Sequence, residues 1–202
     1  MKTVLALFAG FWLLILIAGS ANPGYQHYRE HVSLLAAEGS RLVWVTTLAI
    51  LLVAAAQWVG SYYFWQVNKT VTGLLAAAGA ALGVVAAFRV PCERSSRHCT
   101  FTVEDTVSAS VHNAGVVTFA LATMAAMVIL GVVSLVHGQH SVVGIPGLLA
   151  AGVFALTYSG LLFPPEGLAQ RTWIAVGQIW LVAAVGVAQE RRRRDAALII
   201  RR

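Results

Sequence analysis

The residues best suited to chemistry in this chain open a long apolar run: Glu104-Asp105-Thr106-Val107-Ser108-Ala109-Ser110-Val111-His112-Asn113. Asp105, Ser108 and His112 are spaced three and four apart, so on a helix they share one face, which Gly115, Phe119 and Thr123 continue. Ser108 can reach His112, whereas Asp105 stands two turns, about 10 Å, from the imidazole and cannot orient it. A serine beside a histidine offers nucleophilic chemistry, provided the base comes within about 3 Å of the proton it takes. Ser33 is a second nucleophile candidate, giving Ser33, Ser108 and His112 as the catalytic set. His27 and His31 lie four apart, a ligand-like spacing also seen in zinc enzymes, but the usual glutamate-bearing signature is absent. No metal site and no cofactor are assigned. The plain reading of all these residues is a solvated or interfacial polar surface.

A binding set is also legible. Tyr25, His31, Arg89, His112 and Arg171 all fall near helix ends on one side of the membrane. Arg41, Arg89 and Arg171 can pair there with Glu38, Glu104 or Asp105, or clamp a lipid phosphate. Cys92 and Cys99 share a short loop on the same side, where an oxidising compartment would permit a disulfide. A metal held by both thiols and His98 is the sharper alternative, but the spacing is not a zinc pattern.

The elements that must position these residues are apolar runs. Six stretches, roughly 4–18, 42–65, 71–90, 107–136, 145–163 and 173–188, compare with the approximately 20 residues a helical span requires. With 58% hydrophobic and 11% charged residues, against roughly 25% charged in soluble domains, a soluble fold is excluded. The sequence predicts an all-α polytopic bundle of six transmembrane helices over residues 1–190, followed by a basic tail over 191–202. The first stretch has a rival reading as a secretory signal, with Gly19-Ser20-Ala21 as the small-residue cleavage site.

Charge sets the expected orientation. One side holds Lys2, Lys69, Arg191–Arg194, Arg201 and Arg202 against Glu190 and Asp195; the other holds six basic and six acidic residues. The net charge of +6 thus falls on the side of both termini, which places them in the cytoplasm of a cell with this protein in its plasma membrane. Trp44 and Trp173 at the outer ends, and Trp58, Tyr62, Tyr63 and Trp65 at an inner one, read as interfacial anchors. Gly79-x-x-x-Gly83 and its small neighbours allow close helix packing. Pro146 opens the fifth helix, and Pro164-Pro165 closes it.

Several short motifs also carry a family likeness. Pro23-Gly24-Tyr25, His31-Val32-Ser33-Leu34-Leu35-Ala36, Phe88-Arg89-Val90-Pro91-Cys92-Glu93, His112 and Gly167-Leu168-Ala169-Gln170-Arg171 resemble the bacterial and archaeal membrane family catalogued as domain of unknown function 998. The resemblance implies six helices with these elements gathered at one membrane face. It carries no activity. Glu93 stands where that family usually has an aspartate, and Leu34 where it often has an acidic residue or glycine. Two functions follow as expectations. One is a non-enzymatic protein whose outer polar pocket binds a lipid headgroup or a partner membrane protein. The other is an intramembrane lipid hydrolase using a Ser/His or His-metal site at the outer leaflet. Membrane lipids or a membrane protein are the expected partners, and nucleic acid is not. Transport is disfavoured, because no span has an ionisable residue at its centre.

Overall fold

Among the described residues of the computed structural model six α-helices succeed one another: α1 (Lys2–Ala21), α2 (Val43–Phe64), α3 (Lys69–Ala87), α4 (Thr106–Val136), α5 (Ile145–Tyr158) and α6 (Glu166–Ile200). A 3-10 helix, Val32–Ala36, interrupts the connection between α1 and α2. The structure describes residues 1–90, 106–138, 143–162 and 165–200, with side chains as far as Arg194 and Thr106 excepted. No strand occurs among the described residues. Among the described residues five helices, all but α5, are long and apolar enough to cross a bilayer, so the fold is a helical membrane bundle.

Each helix packs on the next in the chain, and α6 returns against α2 and α1 to close the arrangement. One end of the bundle, where α1, α3 and α5 finish and α2, α4 and α6 begin, is called here the loop end; the other is the arginine end. α1 belongs to the bundle, with Val4, Phe8, Phe11, Ile15 and Ala18 buried along one face. Its Trp12 Nε1 donates to Gln178 Oε1 of α6 at 2.7 Å, which satisfies two polar groups in an apolar setting. On α3, a Cβ at Gly79 would stand 3.0 Å from the Ala54 carbonyl oxygen, so glycine is what lets α2 approach. Gly83 and Gly73 have no such neighbour, and only part of the small-residue surface is used.

Two elements differ from the sequence expectation. The apolar run 145–163 predicts a full span, yet α5 has 14 residues, about 21 Å. The reason is local. Gly160 takes a φ of 75°, its amide donates to Thr157 O, and the Leu161 amide reaches back to Leu156 O. These are the two bonds of a left-handed glycine cap, and the leucines beyond it continue the hydropathy without the helix. Trp173 is the other case. It is only 6% exposed and packs on Phe154 at 5.2 Å, Tyr158 at 5.5 Å and Phe119 at 5.9 Å, as a core residue and not an interfacial anchor. Trp44, Trp58, Tyr62 and Trp65 are exposed, as membrane-facing rings are. α6 runs past Glu190 without a break, so Arg191–Arg194 extend the helix.

Candidate functional site

The loop end is built from backbone groups that helices leave without partners. The connection from α1 to α2 closes on Asn22, whose Nδ2 donates to Ala18 O and Arg41 O, both at 2.8 Å, while its Oδ1 accepts from Arg41 N at 2.7 Å. Within this loop the 3-10 helix turns Val32, Leu35 and Ala36 into the core like a plug. The loop then docks on the start of α6. Gly167 N donates to Arg29 O at 3.1 Å and Leu168 N to Tyr28 O at 2.9 Å, satisfying first-turn amides that have no partner inside their own helix. Contact is close enough that a Cβ on Gly167 would lie 2.6 Å from both the amide nitrogen and carbonyl oxygen of Glu30.

Arg171 locks this contact. One guanidinium nitrogen donates to Glu30 O and Gly167 O at 2.9 Å each, and the other to the Tyr25 hydroxyl at 2.5 Å. Tyr25 in turn donates to His31 O at 3.1 Å. Burial raises the Tyr25 hydroxyl above the usual phenol range, opposed by the charge of Arg171. His27 sits over Gly19 with its Nδ1 3.4 Å from Arg171. Its imidazole is held below the ordinary histidine range, first by burial and then by that cation. His31 faces the opposite way, its Nε2 3.1 Å from Glu166 Oε2 near the surface. The four-residue spacing of the two histidines therefore does not place them on one helical face: His31 is the extended residue before the 3-10 helix.

The stripe on α4 is real. His112, Phe119 and Thr123 are buried on one face, while Asn113 points outward. His112 is 1% exposed, and its Nδ1 lies 2.7 Å from Phe88 O; Ser108 Oγ donates to Arg89 O at 2.8 Å. Both acceptors are carbonyls at the C-terminus of α3, which the helix itself cannot satisfy. Because a carbonyl only accepts, Nδ1 carries the proton. Nε2 is buried with no hydrogen-bond partner among the described residues. The His112 side chain helps line a cavity of about 50 Å³ at the loop end, with Ser33, Gln170, Phe11, Val85 and Trp173 among the other lining residues.

The sequence candidates therefore separate into three places. Ser33 and His112 share the central cavity; Tyr25 and Arg171 form the loop anchor; His31 lies in an adjoining cleft beyond Gln170 and Trp173. Arg89 enters the description through its carbonyl. Cys92 and Cys99, with Glu93, His98, Glu104 and Asp105, lie outside the described residues. Among the described residues no three His, Cys, Asp or Glu side chains gather as a metal site would require. Two positioning residues escaped the sequence reading. Gln170 Oε1 accepts from Val32 N at 2.5 Å and so ties the 3-10 helix to α6, and Asn22 clasps the loop. Gln170 stood inside a quoted motif, one residue before Arg171; nothing in its type announced a backbone partner.

Ser108 and the Nδ1 side of His112 are committed to α3, and the Arg171 fork is occupied by three neutral oxygens. Fold and site together define a multi-pass helical membrane protein with one loop-covered end. The chain belongs to the family described as Protein of unknown function (DUF998), whose model matches residues 5–187. No curated protein and no solved structure matches it.

Proposed function

We propose that the protein is a non-enzymatic, multi-pass protein of the plasma membrane, both termini cytoplasmic, that holds a membrane lipid beneath its outer loop. One observation carries this reading. A largely apolar cavity, roofed by the 3-10 helix, has His112 in its wall, and among the described residues that imidazole's Nε2 is buried with no hydrogen-bond partner. Pockets that orient amphipathic ligands have this character, with apolar walls and few polar groups. The orientation is supported by the position of Lys2, Lys69 and Arg191–Arg194 at the same end of the bundle. A partner membrane protein is the other occupant expected from the sequence, and it would seat on the loop itself.

The hydrolase reading has one feature in its favour, the shared cavity of Ser33 and His112. Against it, the imidazole is oriented by the neutral carbonyl of Phe88, where the Ser-His-Asp arrangement has a carboxylate that stabilises the imidazolium. Native mass spectrometry of the protein extracted with its surrounding membrane tests both. The expected result is a retained, intact lipid. Release of fatty acid that disappears in Ser33→Ala would establish the hydrolase instead, and a protein free of any lipid would overturn the binding reading. A reporter fused after Arg202 that is active only outside the cytoplasm would overturn the orientation.

A further inference from the structure

The cleft that holds His31 carries charge of one sign. It lies between the end of α5 and the start of α6, encloses about 280 Å³, and has Tyr158, Ser159, Glu166, Gln170 and Trp173 among its other lining residues. We propose that this cleft takes an organic ammonium group, carried by a lipid headgroup or by a free amine, with the Glu166 carboxylate as its counter-ion. The site is separate from the central cavity, with which it shares Gln170 and Trp173 as lining residues, and does not depend on what that cavity holds.

Charge carries the proposal. No lysine or arginine lines the cleft, so with a neutral His31 the carboxylate is its one formal charge. The Glu166 side chain is 81% exposed, and its Oε2 accepts from His31 Nε2 at 3.1 Å, which leaves Oε1 without a hydrogen-bond partner among the described residues. The first amides of α6 do not offset that charge, because Gly167 N and Leu168 N already donate to Arg29 O and Tyr28 O. α5 adds to it. The C-terminal end of that helix, with its partial negative charge, stops at the cleft, and Ser159 Oγ donates to Leu156 O at 3.0 Å, so toward a ligand its oxygen can only accept. Tyr158 and Trp173, 5.5 Å apart, give the wall aromatic surface, which suits a cation. The Tyr158 hydroxyl and the Gln170 amide are neutral donors; they can serve oxygens beside the ammonium without changing the sign of the site. The volume is many times the roughly 10–15 Å³ that one water needs, enough for an ammonium and the carbons that bear it.

The test uses full-length protein in phosphatidylglycerol nanodiscs at about pH 8, above the roughly 6.5 of ordinary imidazole, with phosphatidylethanolamine added. A carbodiimide, which joins a carboxylate to a primary amine held against it, is expected to couple this lipid to Glu166 at least about threefold above the exposed Glu38. Coupling of ethanolamine from solution at equal concentration would identify a free amine as the source, and coupling of the lipid alone a headgroup. In native mass spectrometry phosphatidylethanolamine should bind about threefold more tightly than its N-acetyl form, which has lost the charge. Glu166→Gln keeps an acceptor for His31 and should abolish that preference while the unfolding midpoint stays near wild type. Ser159→Lys sets a competing cation at the end of α5 and should do the same with Glu166 in place. Equal binding of the N-acetyl lipid, a preference that persists in Glu166→Gln, or coupling no greater than at Glu38 would each overturn the proposal. Lipid that Glu166→Gln still retains, without headgroup preference, reports on the central cavity, so the two sites fail separately.

Discussion

Arg171 and Arg192 stand on the same helix, about 32 Å apart, and meet opposite surroundings. Arg171 points into a nest of oxygens, from Glu30 and Tyr25 of a loop distant in sequence and from Gly167 one turn earlier on its own helix. Arg192 lies over the rings of Tyr62 and Tyr63 at 5.4 and 5.8 Å and donates to Tyr62 O, and nearby Lys69 covers Trp65 at 3.5 Å. Arg194 pairs with Glu190 while both remain largely exposed. At the arginine end, cations rest on aromatic faces that already border the membrane surface. At the loop end, one cation joins a loop carbonyl, a helix carbonyl and a phenol. The same residue type thus anchors a helix to its medium in one place and joins two elements in the other.

The comparison breaks most readily at Arg171. Arg171→Ala should lower stability by roughly 3 kcal/mol, the loss expected when a hydrogen-bonded charged group is removed, and should expose the loop to trypsin after Arg29. Arg171→Lys should recover less than half, because an ammonium has one donor centre and cannot serve the two carbonyls bonded to Nη1 and the Tyr25 hydroxyl bonded to Nη2 together. Undiminished protection in Arg171→Ala would mean the nest is incidental.

Gly167→Ala tests the docking without touching charge. Its Cβ would press on the Glu30 backbone, which cannot rotate aside as a side chain can, at a cost of about 2 kcal/mol. Chemical unfolding in micelles would show it, and a midpoint equal to wild type would count against tight docking.

Acid should loosen the same contact. His27 titrates lower in the folded protein than the roughly 6.5 of an unfolded chain, so between those values the unfolded state binds more protons. Stability contributed here is complete above about pH 6.5 and declines as pH falls toward the folded value. The difference between wild type and His27→Gln in thermal midpoint should therefore depend on pH over that window, and a constant difference would exclude His27 as its source.

The smallest effect belongs to the other end. Arg192→Gln removes a cation from two tyrosine faces and a partly exposed bond, worth below about 1 kcal/mol. A loss as large as that of Arg171→Ala would erase the distinction between the two ends.

What was legible in the sequence follows the physics of each signal. Hydropathy locates α1 to α4 and α6 because a bilayer demands long apolar runs whatever they pack against. It overshoots α5 because Leu161 and Leu162 are apolar after the chain has already turned, although Ser159-Gly160 carried the stop signal. The face of His112, Phe119 and Thr123 was readable from helical spacing. Its partners were not, since the carbonyls of Phe88 and Arg89 have no residue identity and are offered only because α3 ends there. Arg171 was read as a partner for acids or phosphate for the same reason. Its hydrogen bonds reach two carbonyls and a phenol, assembled by the way the loop crosses α6.

The brevity of α5 reaches beyond the protein. A helix of about 21 Å between α4 and α6, each longer than a hydrocarbon layer of about 30 Å is thick, creates a hydrophobic mismatch on that flank. Leu161, 76% exposed just past the glycine cap, extends the apolar surface by a turn but leaves the flank short. Lipid beside α5 has to thin or tilt to cover it, at a fraction of a kcal/mol per Å, so shorter acyl chains collect there in preference to longer ones. In a bilayer the bundle would therefore present its annulus with an asymmetry, short at α5 and long at the neighbouring α4 and α6.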